Sequence, residues 1–279
     1  MRSESGAMRE PYLSMFRDLV RQGAGAQDIH DATAEAGYAA EGSVTSPAFL
    51  EREVRRVEAH ERSLCPLIET FVGRAPAVLD VGCSTGGTTV ALAKSRTIDA
   101  REVIGIDPSQ RSIEAARVRA LGYDLPADRV RFQQTVAGEA FPFETGRFDL
   151  AVCVSVLEFI SSPDARGAFA AELMRVVRPG GHIFVATPTP FRLREHHSRR
   201  ILGDYRRRDG FPWASPPWAL RRIFKGCRAV PIHRAQAQRV MGRIGLGRVT
   251  LPEFVARAVG HALPWQKVLW QNAGGAGDR

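Results

Sequence analysis

The sequence predicts an α/β protein with a seven-stranded, mostly parallel sheet, helices on both faces and an N-terminal helical cap. Apolar runs of strand length alternate with helical patterns from about residue 50 almost to the end of the 279-residue chain. One such run, Phe148–Val156, is continuously apolar, which is typical of a parallel strand buried on both faces. This regular alternation favours a parallel sheet whose helices cover both sides.

The first half of the alternation predicts two strands and their helices. Residues Ala48–Phe71 carry an apolar stripe at helical spacing, and Ala77–Val81 is the first strand. A helix follows from about Thr88 to Ser95. The segment REVIGIDPS, Arg101–Ser109, is a second strand ending in an aspartate, and RSIEAARVRALG is a helix with Gly122 as its stop.

The second half predicts the remaining strands. Residues Arg129–Gln134 alternate as a third strand, and the apolar run named above is the fourth. A helix from about Ala165 to Val177 ends in an Arg-Pro-Gly-Gly turn, after which HIFVAT is the fifth strand. The last predicted elements are a helix at Trp218–Lys225 and strands at Ala229–His233 and Gln266–Gln271.

The domain organisation predicted from these patterns is one enzyme-sized domain with additions. Residues 1–47 form the cap, with helices around Tyr12–Arg21 and Ile29–Ala36, over the carboxyl edge of the sheet. Residues 48–272 form the α/β domain, with substrate-side insertions at about 189–217 and 236–262. Residues 273–279 are expected to be a disordered tail.

Composition favours a cytoplasmic globular protein. The chain is 44% hydrophobic and 25% charged, has no apolar run near the ~20 residues that span a bilayer, and begins without the apolar core of a secretory signal. The four cysteines lack a CxxC spacing. We expect buried, reduced thiols rather than a zinc site or a disulfide framework.

The formal charge of +9 is concentrated in one region. From Thr189 to His261 there are sixteen Lys+Arg against four Asp+Glu, a net charge of +12, so the rest of the chain has a net charge of −3. Three interpretations stay open for this region: a solvated arginine-rich surface, contacts to an anionic substrate, or contacts to a membrane surface.

The stretch VLDVGCSTGGTT places a glycine-rich turn directly after the first predicted strand. A nicotinamide-binding turn requires G-x-G-x-x-G, and the frame Gly82, Ser84, Gly87 lacks the middle glycine. The frame acidic-x-G-x-small-x-G is filled instead, by Asp80, Gly82, Ser84 and Gly86.

This second frame resembles the first motif of the class I S-adenosylmethionine-dependent methyltransferases, in particular the small-molecule enzymes of the type 11/25 group. The resemblance implies a Rossmann-like fold that binds S-adenosyl-L-methionine and releases S-adenosyl-L-homocysteine. In the family, a carboxylate at the place of Asp80 lies near the methionine amino group. Asp107 ends the second strand, where the family's acidic residue accepts the ribose hydroxyl protons; a helix N-cap is the alternative role.

Two later segments agree with this resemblance. The segment AFPFETGRFDLAVCVSVLEFI resembles the family's fourth-strand region, and RVVRPGGHIFVATP resembles the helix, turn and fifth strand that follow. The resemblance covers residues 50–190 well. It adds Pro108, Ala137, Gly138 and Ser155 to the predicted cofactor-binding residues.

The chain departs from the family at two loop positions. Ser84 replaces the commonest middle glycine of the first motif. Ala137 stands where the family often has an aspartate for the adenine amino group. Adenine is then held by backbone groups of residues 136–139 and apolar packing, or Glu139 takes the aspartate's place.

A third departure concerns metal binding. The quinone O-methyltransferase branch reads Glu-x-x-Glu-His after the fourth strand, a segment linked to a metal. The matching positions here are Ser155, Glu158 and Phe159, so two of three ligands are absent and we predict no metal.

Methyl transfer needs alignment of the acceptor and only sometimes a base. His196 or His197, in the segment after the fifth strand, are candidate general bases, with Glu195 or Asp204 orienting the ring; surface histidines are the alternative.

The expected function is methyl transfer to a small-molecule acceptor, with O-methylation of a specialised metabolite or of a sugar-like or anionic compound as the expected reaction and the basic region accommodating the anionic or sugar-like group. A membrane-associated lipid or quinone methyltransferase stays open, with peripheral membrane contact. We do not expect a nucleic-acid partner, although an RNA methyltransferase and a non-catalytic scaffold stay as alternatives. The sequence does not determine the oligomeric state.

Overall fold

A computed structural model describes residues 7–25, 47–160, 162–189, 215–243, 251–252, 255–256 and 265–274. Their strands form a single sheet in the order β3-β2-β1-β4-β5-β7-β6. The strands are β1 (Ala77–Val81), β2 (Glu102–Asp107), β3 (Val130–Gln134), β4 (Phe148–Val154), β5 (Val177–Pro188), β6 (Cys227–Val230) and β7 (Trp265–Asn272).

The helices within the described ranges lie before, between and after these strands. A single 3₁₀ turn, Leu157–Phe159, follows β4. The helices are α1 (Glu10–Arg21), α2 (Pro47–Val54), α3 (Arg56–Ser63), α4 (Cys65–Val72), α5 (Gly87–Lys94), α6 (Gln110–Gly122), α7 (Pro163–Val176), α8 (Pro217–Ile223) and α9 (His233–Arg243).

The sheet is mostly parallel, as the sequence predicts. Strand β1 pairs in parallel with β2 and β4, and β4 pairs in parallel with β5. Among the strands of the described residues, only β7 runs antiparallel, between β5 and β6. The carboxyl ends of β1, β2, β3 and β4 therefore meet at one edge, where open α/β sheets bind their ligands.

Successive residues of each strand bury on opposite faces of the sheet, which gives the fold two cores. Val78 belongs to a cluster that includes α4, α5 and α6, whereas Leu79 belongs to one that includes α7 and α8. This alternation follows from the two-residue period of a strand. It confirms the predicted helices on both faces.

One helix prediction needs correction. The predicted helix Ala48–Phe71 is three short helices, because the backbone leaves the helical path at Arg55 and α4 restarts at Cys65 with a proline in its first turn.

Helix α6 ends at Gly122, as predicted, and the residue with a left-handed φ comes two positions later: it is Asp124, with φ of 56°. A Cβ at Gly122 would lie 2.5 Å from Met8 Cγ, so the glycine allows the N-terminal segment to approach.

The predicted Arg-Pro-Gly-Gly turn is also different in the structure. It lies within β5 as an irregularity, since Phe148 pairs with Val177 while Leu150 pairs with His182. The extra residues bulge out of the ladder and are accommodated at the amino end of the sheet, away from the edge that carries the site.

The N-terminal segment reaches the carboxyl edge along α6. Helix α1 buries Phe16 and Val20 against α6, in a cluster with Ala115. Beyond it, the Gly25 amide donates to the Ser112 hydroxyl at 3.0 Å. The second predicted cap helix, Ile29–Ala36, lies outside the described residues. Within the described ranges no helix has both the length and the apolar character needed to span a bilayer.

Candidate cofactor site

The glycine loop joins β1 to α5 at the carboxyl edge. Its first amides, those of Gly82 and Cys83, both donate to the Ile106 carbonyl of β2, at 2.8 and 3.0 Å. Gly82 and Ser84 have φ values of 70° and 48°. Ser84 thus adopts the left-handed conformation that a glycine would take at this position, which is uncommon for a residue with a Cβ.

The glycine requirement at the start of the loop comes from the protein's own packing. A Cβ on Gly82 would lie 2.2 Å from Val156 Cγ2, in the segment after β4. Only a residue without a side chain permits this approach at a positive φ. The contact holds the glycine loop against the chain that follows β4.

Asp80 lies beneath this loop and is almost fully buried. Its Oδ2 accepts a hydrogen bond from the Thr89 hydroxyl of α5 at 2.6 Å. Burial, with a smaller contribution from the nearby charge of Asp107, raises the pKa of Asp80 from 3.8 to about 7. The carboxyl group is therefore poised between its neutral and charged forms at neutral pH.

This raised pKa predicts a falling stability with rising pH in the cofactor-free protein. Between pH 4 and 7 the folded protein binds a proton at Asp80 that the unfolded chain has released, so unfolding becomes easier as the pH rises. We expect Asp80 to lower the free energy of unfolding by on the order of 2–3 kcal/mol between pH 5 and pH 8, and Asp80→Asn to abolish this decrease. Urea unfolding of both proteins at pH 5 and pH 8 measures it. A wild-type-like slope in the variant would contradict the assignment.

Asp107, at the end of β2, is the second buried carboxylate of the site. Its Oδ2 accepts the Ser84 amide at 2.8 Å, and its Oδ1 accepts the Ser109 amide at 2.9 Å. The carboxylate thus connects the glycine loop to the start of α6. The N-cap of α6 is Ser109, whose hydroxyl accepts from Ser112, so Asp107 does not have the N-cap role.

The loop after β3 supplies exposed backbone groups beside Asp107. Ala137 and Gly138 are exposed, and Gly138 has φ of 85° in a turn closed by the Glu139 amide on the Val136 carbonyl. The Pro108 carbonyl accepts from the Gln134 side chain at 3.0 Å. The contacts described for this loop do not decide between the Glu139 side chain and the backbone as the partner for adenine.

The segment after β4 holds Ser155 and a buried glutamate. Ser155 has φ of 61°, and its amide donates to the Ala186 carbonyl of β5 at 2.9 Å. Glu158 is buried, and its Oε2 accepts from the Thr187 hydroxyl at 3.1 Å. The nearby Arg166 guanidinium donates to the Ser215 hydroxyl at 2.9 Å. These polar groups lie where β4 and β5 end.

The structure brings the predicted cofactor residues of four strands to one edge, whereas His196 and His197 lie outside the described residues. Within the described ranges, no three His, Cys, Asp or Glu side chains cluster as metal ligands would. Burial raises the pKa of the Cys83 and Cys153 thiols well above the ordinary value, which makes them unreactive.

Sequence reasoning missed the polar residues that support the site. Thr89 holds Asp80, and Thr85 of the glycine loop contacts a buried ion pair between Glu53 and Arg119. The missed pair lies 66 residues apart in the chain, so no local pattern connects its members. The only local signal is that charged residues interrupt otherwise apolar helix faces.

Part of the chain is similar to known proteins. Residues 78–181 match the family model of a methyltransferase domain. The ubiquinone biosynthesis O-methyltransferase of Pectobacterium atrosepticum is 34% identical over 110 residues, which cover 39% of this chain and 42% of that protein. The chain thus spans less than half the length of the curated relatives it matches.

Two further comparisons extend this likeness. An uncharacterized 37.1 kDa protein in transposon TN4556 of Streptomyces fradiae is 37% identical over 112 residues, covering 40% of this chain and 30% of that protein. The crystal structure of the [4+2]-cyclase SpnF superposes with a TM-score of 0.52 at 20% identity, covering 78% of this chain and 82% of that one. At that identity the likeness is one of fold.

Proposed function

We propose that this chain, a class I S-adenosylmethionine-dependent methyltransferase by its sequence family and its fold, transfers a methyl group to an oxygen atom of a small-molecule acceptor. The observation that carries the proposal is the arrangement at the carboxyl edge. There Asp107 and the glycine loop are joined by a hydrogen bond, and Asp80 lies buried beneath the loop.

The residues at this edge fit the cofactor. The Ser84 and Ser109 amides fix the orientation of the Asp107 carboxylate, a group whose two oxygens can accept both hydroxyl protons of a ribose. Asp107 would accept the ribose hydroxyl protons. The charged form of Asp80 would be favoured by the methionine ammonium group. The exposed backbone at Ala137 and Gly138 would border the adenine.

When bound, the cofactor supplies an electrophilic methyl group on a sulfonium. The chain's own task is to hold the acceptor oxygen in line with that methyl group and to exclude water. We assign this task to the ends of β4 and β5, where Ser155, Glu158 and Thr187 lie. His196 or His197 would remove the acceptor proton if the acceptor needs a base.

A second candidate function is methylation of a quinone or another lipid at a membrane surface. Two observations favour it: the curated relative described above is a ubiquinone biosynthesis O-methyltransferase, and residues 215–243 contain seven Lys+Arg and no Asp or Glu. Such a basic stretch is attracted to anionic lipid headgroups.

Methyl-labelled S-adenosylmethionine separates these functions. The purified protein is incubated with the label and a gently prepared cell extract, and polar metabolites, lipids and RNA are then counted separately. Label among the polar metabolites is expected for the small-molecule function. Label in lipid would support the second candidate, and label in RNA would refute both. Asp107→Ala is the control, and it should incorporate none.

A further inference from the structure

Thr85, the residue of the glycine loop between Ser84 and Gly86, is fully buried and its side chain points away from the loop's exposed surface into the protein. Its hydroxyl donates to Glu53 Oε2 at 2.9 Å and accepts from Arg119 Nη2 at 3.0 Å. One hydroxyl therefore connects the glycine loop to two charged side chains from two different helices.

Those two side chains form a buried charge pair of their own. Arg119 of α6 and Glu53 of α2 are both essentially inaccessible, with Nη2 and Oε2 3.7 Å apart. Arg119 Nη2 also donates to the Glu53 carbonyl at 2.8 Å. Arg56 of α3 makes a second ion pair with Glu53.

The N-terminal segment closes this cluster from the other side. The Arg119 guanidinium lies 4.3 Å from the ring centroid of Phe16, a fully buried residue of α1. Further along, a Cβ at Gly25 would lie 3.1 Å from the Ser84 hydroxyl and 2.7 Å from Thr85 Cγ2. Residues preceding the α/β domain thus contact both the charge pair and the glycine loop.

Stability alone is a weak reason for this arrangement. Desolvation of two charges typically offsets their attraction, and apolar residues of similar size would pack as well or better. Burial also lowers the pKa of Arg119 to about 10, which shows that desolvation outweighs the attraction of Glu53 there. The pair instead determines the orientation of a side chain, because its two charged members hold the hydroxyl of Thr85 in a single orientation.

We propose that Glu53 and Arg119 are positioning residues for the cofactor, acting through Thr85. They hold the backbone of Ser84, Thr85 and Gly86 in its binding conformation, and through Phe16 they link cofactor affinity to docking of the N-terminal helix. This inference rests on the proposed function, since it concerns the site assigned to S-adenosylmethionine.

The matched pair Thr85→Val and Thr85→Ser tests the role of the hydroxyl. Valine keeps the shape of the side chain without the hydroxyl, whereas serine keeps the hydroxyl. We expect Thr85→Val to raise the Kd of S-adenosylhomocysteine about tenfold, as for other residues that orient a binding group, and Thr85→Ser to stay within about threefold of wild type. Isothermal titration at 10 °C, on protein shown to be folded by circular dichroism, gives both constants.

A charge variant provides a second measurement. Glu53→Gln keeps an acceptor for Thr85 but removes the charge that balances Arg119, and we expect it to weaken binding by a similar factor. Glu51→Gln is its control, because Glu51 lies on the same helix in an exposed ion pair with Arg55. If Thr85→Val does not fold, the comparison of Glu53→Gln with Glu51→Gln tests the proposal.

A purely structural role has a different signature. In that case Thr85→Val or Glu53→Gln lowers Tm but leaves the Kd of the folded protein at the wild-type value, and the proposal is overturned. Failure of the wild type itself to bind S-adenosylhomocysteine would overturn the proposed function instead. The two failures are therefore distinguishable in one set of titrations.

Discussion

Replacing Asp107 by alanine is expected to weaken S-adenosylhomocysteine binding by at least about 100-fold, because it would remove the two charge-assisted hydrogen bonds that we propose this carboxylate accepts from the ribose. The substitution also leaves the Ser84 and Ser109 amides without their carboxylate acceptor, which loosens the glycine loop. Isothermal titration of the purified variant measures the loss.

Two variants control for indirect effects at Asp107. Asp107→Asn keeps an oxygen acceptor for one amide but not the charge, so it should bind with intermediate affinity. Asp128→Ala removes an exposed aspartate in the loop before β3, at the amino edge of the sheet, and it should bind as wild type does. Wild-type affinity in a folded Asp107→Ala variant would mean that the ribose binds elsewhere.

Replacing Gly82 by alanine is expected to reduce the free energy of unfolding by roughly 2–5 kcal/mol, the sum of left-handed strain and overpacking. The strain arises because φ is 70°, and the overpacking because the new Cβ would lie 2.2 Å from Val156 Cγ2. Urea unfolding of the variant measures the change.

Shortening Val156 separates the two causes. The clash with Cγ2 is absent in a Val156→Ala background, so Gly82→Ala should cost less stability there than in the wild type, and only the strain should persist. An equal cost of Gly82→Ala in both backgrounds would show that contact with Val156 is not what excludes a side chain at residue 82.

The sequence predicts the strand framework well because each strand is a local pattern. Strand Ala77–Val81 is predicted with the bounds that it has in the structure. The acidic-x-G-x-small-x-G spacing that begins at Asp80 of this strand is also visible in the sequence. Strand burial and turn chemistry depend on residues within a few positions of each other. Asp107 was predictable for the same reason, since it ends an apolar run.

The prediction is less complete where distant segments meet. Gly122 ends a helix, which a local pattern can predict. It also leaves room for Met8, a residue more than 110 positions earlier in the chain, and this contact has no local signal. The contacts among Phe16, Glu53, Thr85 and Arg119 join four separate elements. The interruption of an apolar helix face is the one local sign of these buried charges, and it does not identify their distant partners.

The fold by itself leaves the reaction open. The [4+2]-cyclase SpnF shares it at a TM-score of 0.52, so an α/β fold of this kind also occurs in a protein named for another chemistry. The acceptor therefore has to be identified by transfer of label, and the cofactor by direct binding.

Titration of the wild-type chain with S-adenosylhomocysteine and, separately, with NAD tests which cofactor the glycine loop binds. We expect saturable binding of S-adenosylhomocysteine at one site per chain and no binding of NAD, because the glycine loop lacks the middle glycine of a nicotinamide-binding turn. Binding of NAD, or failure to bind S-adenosylhomocysteine, would contradict this expectation.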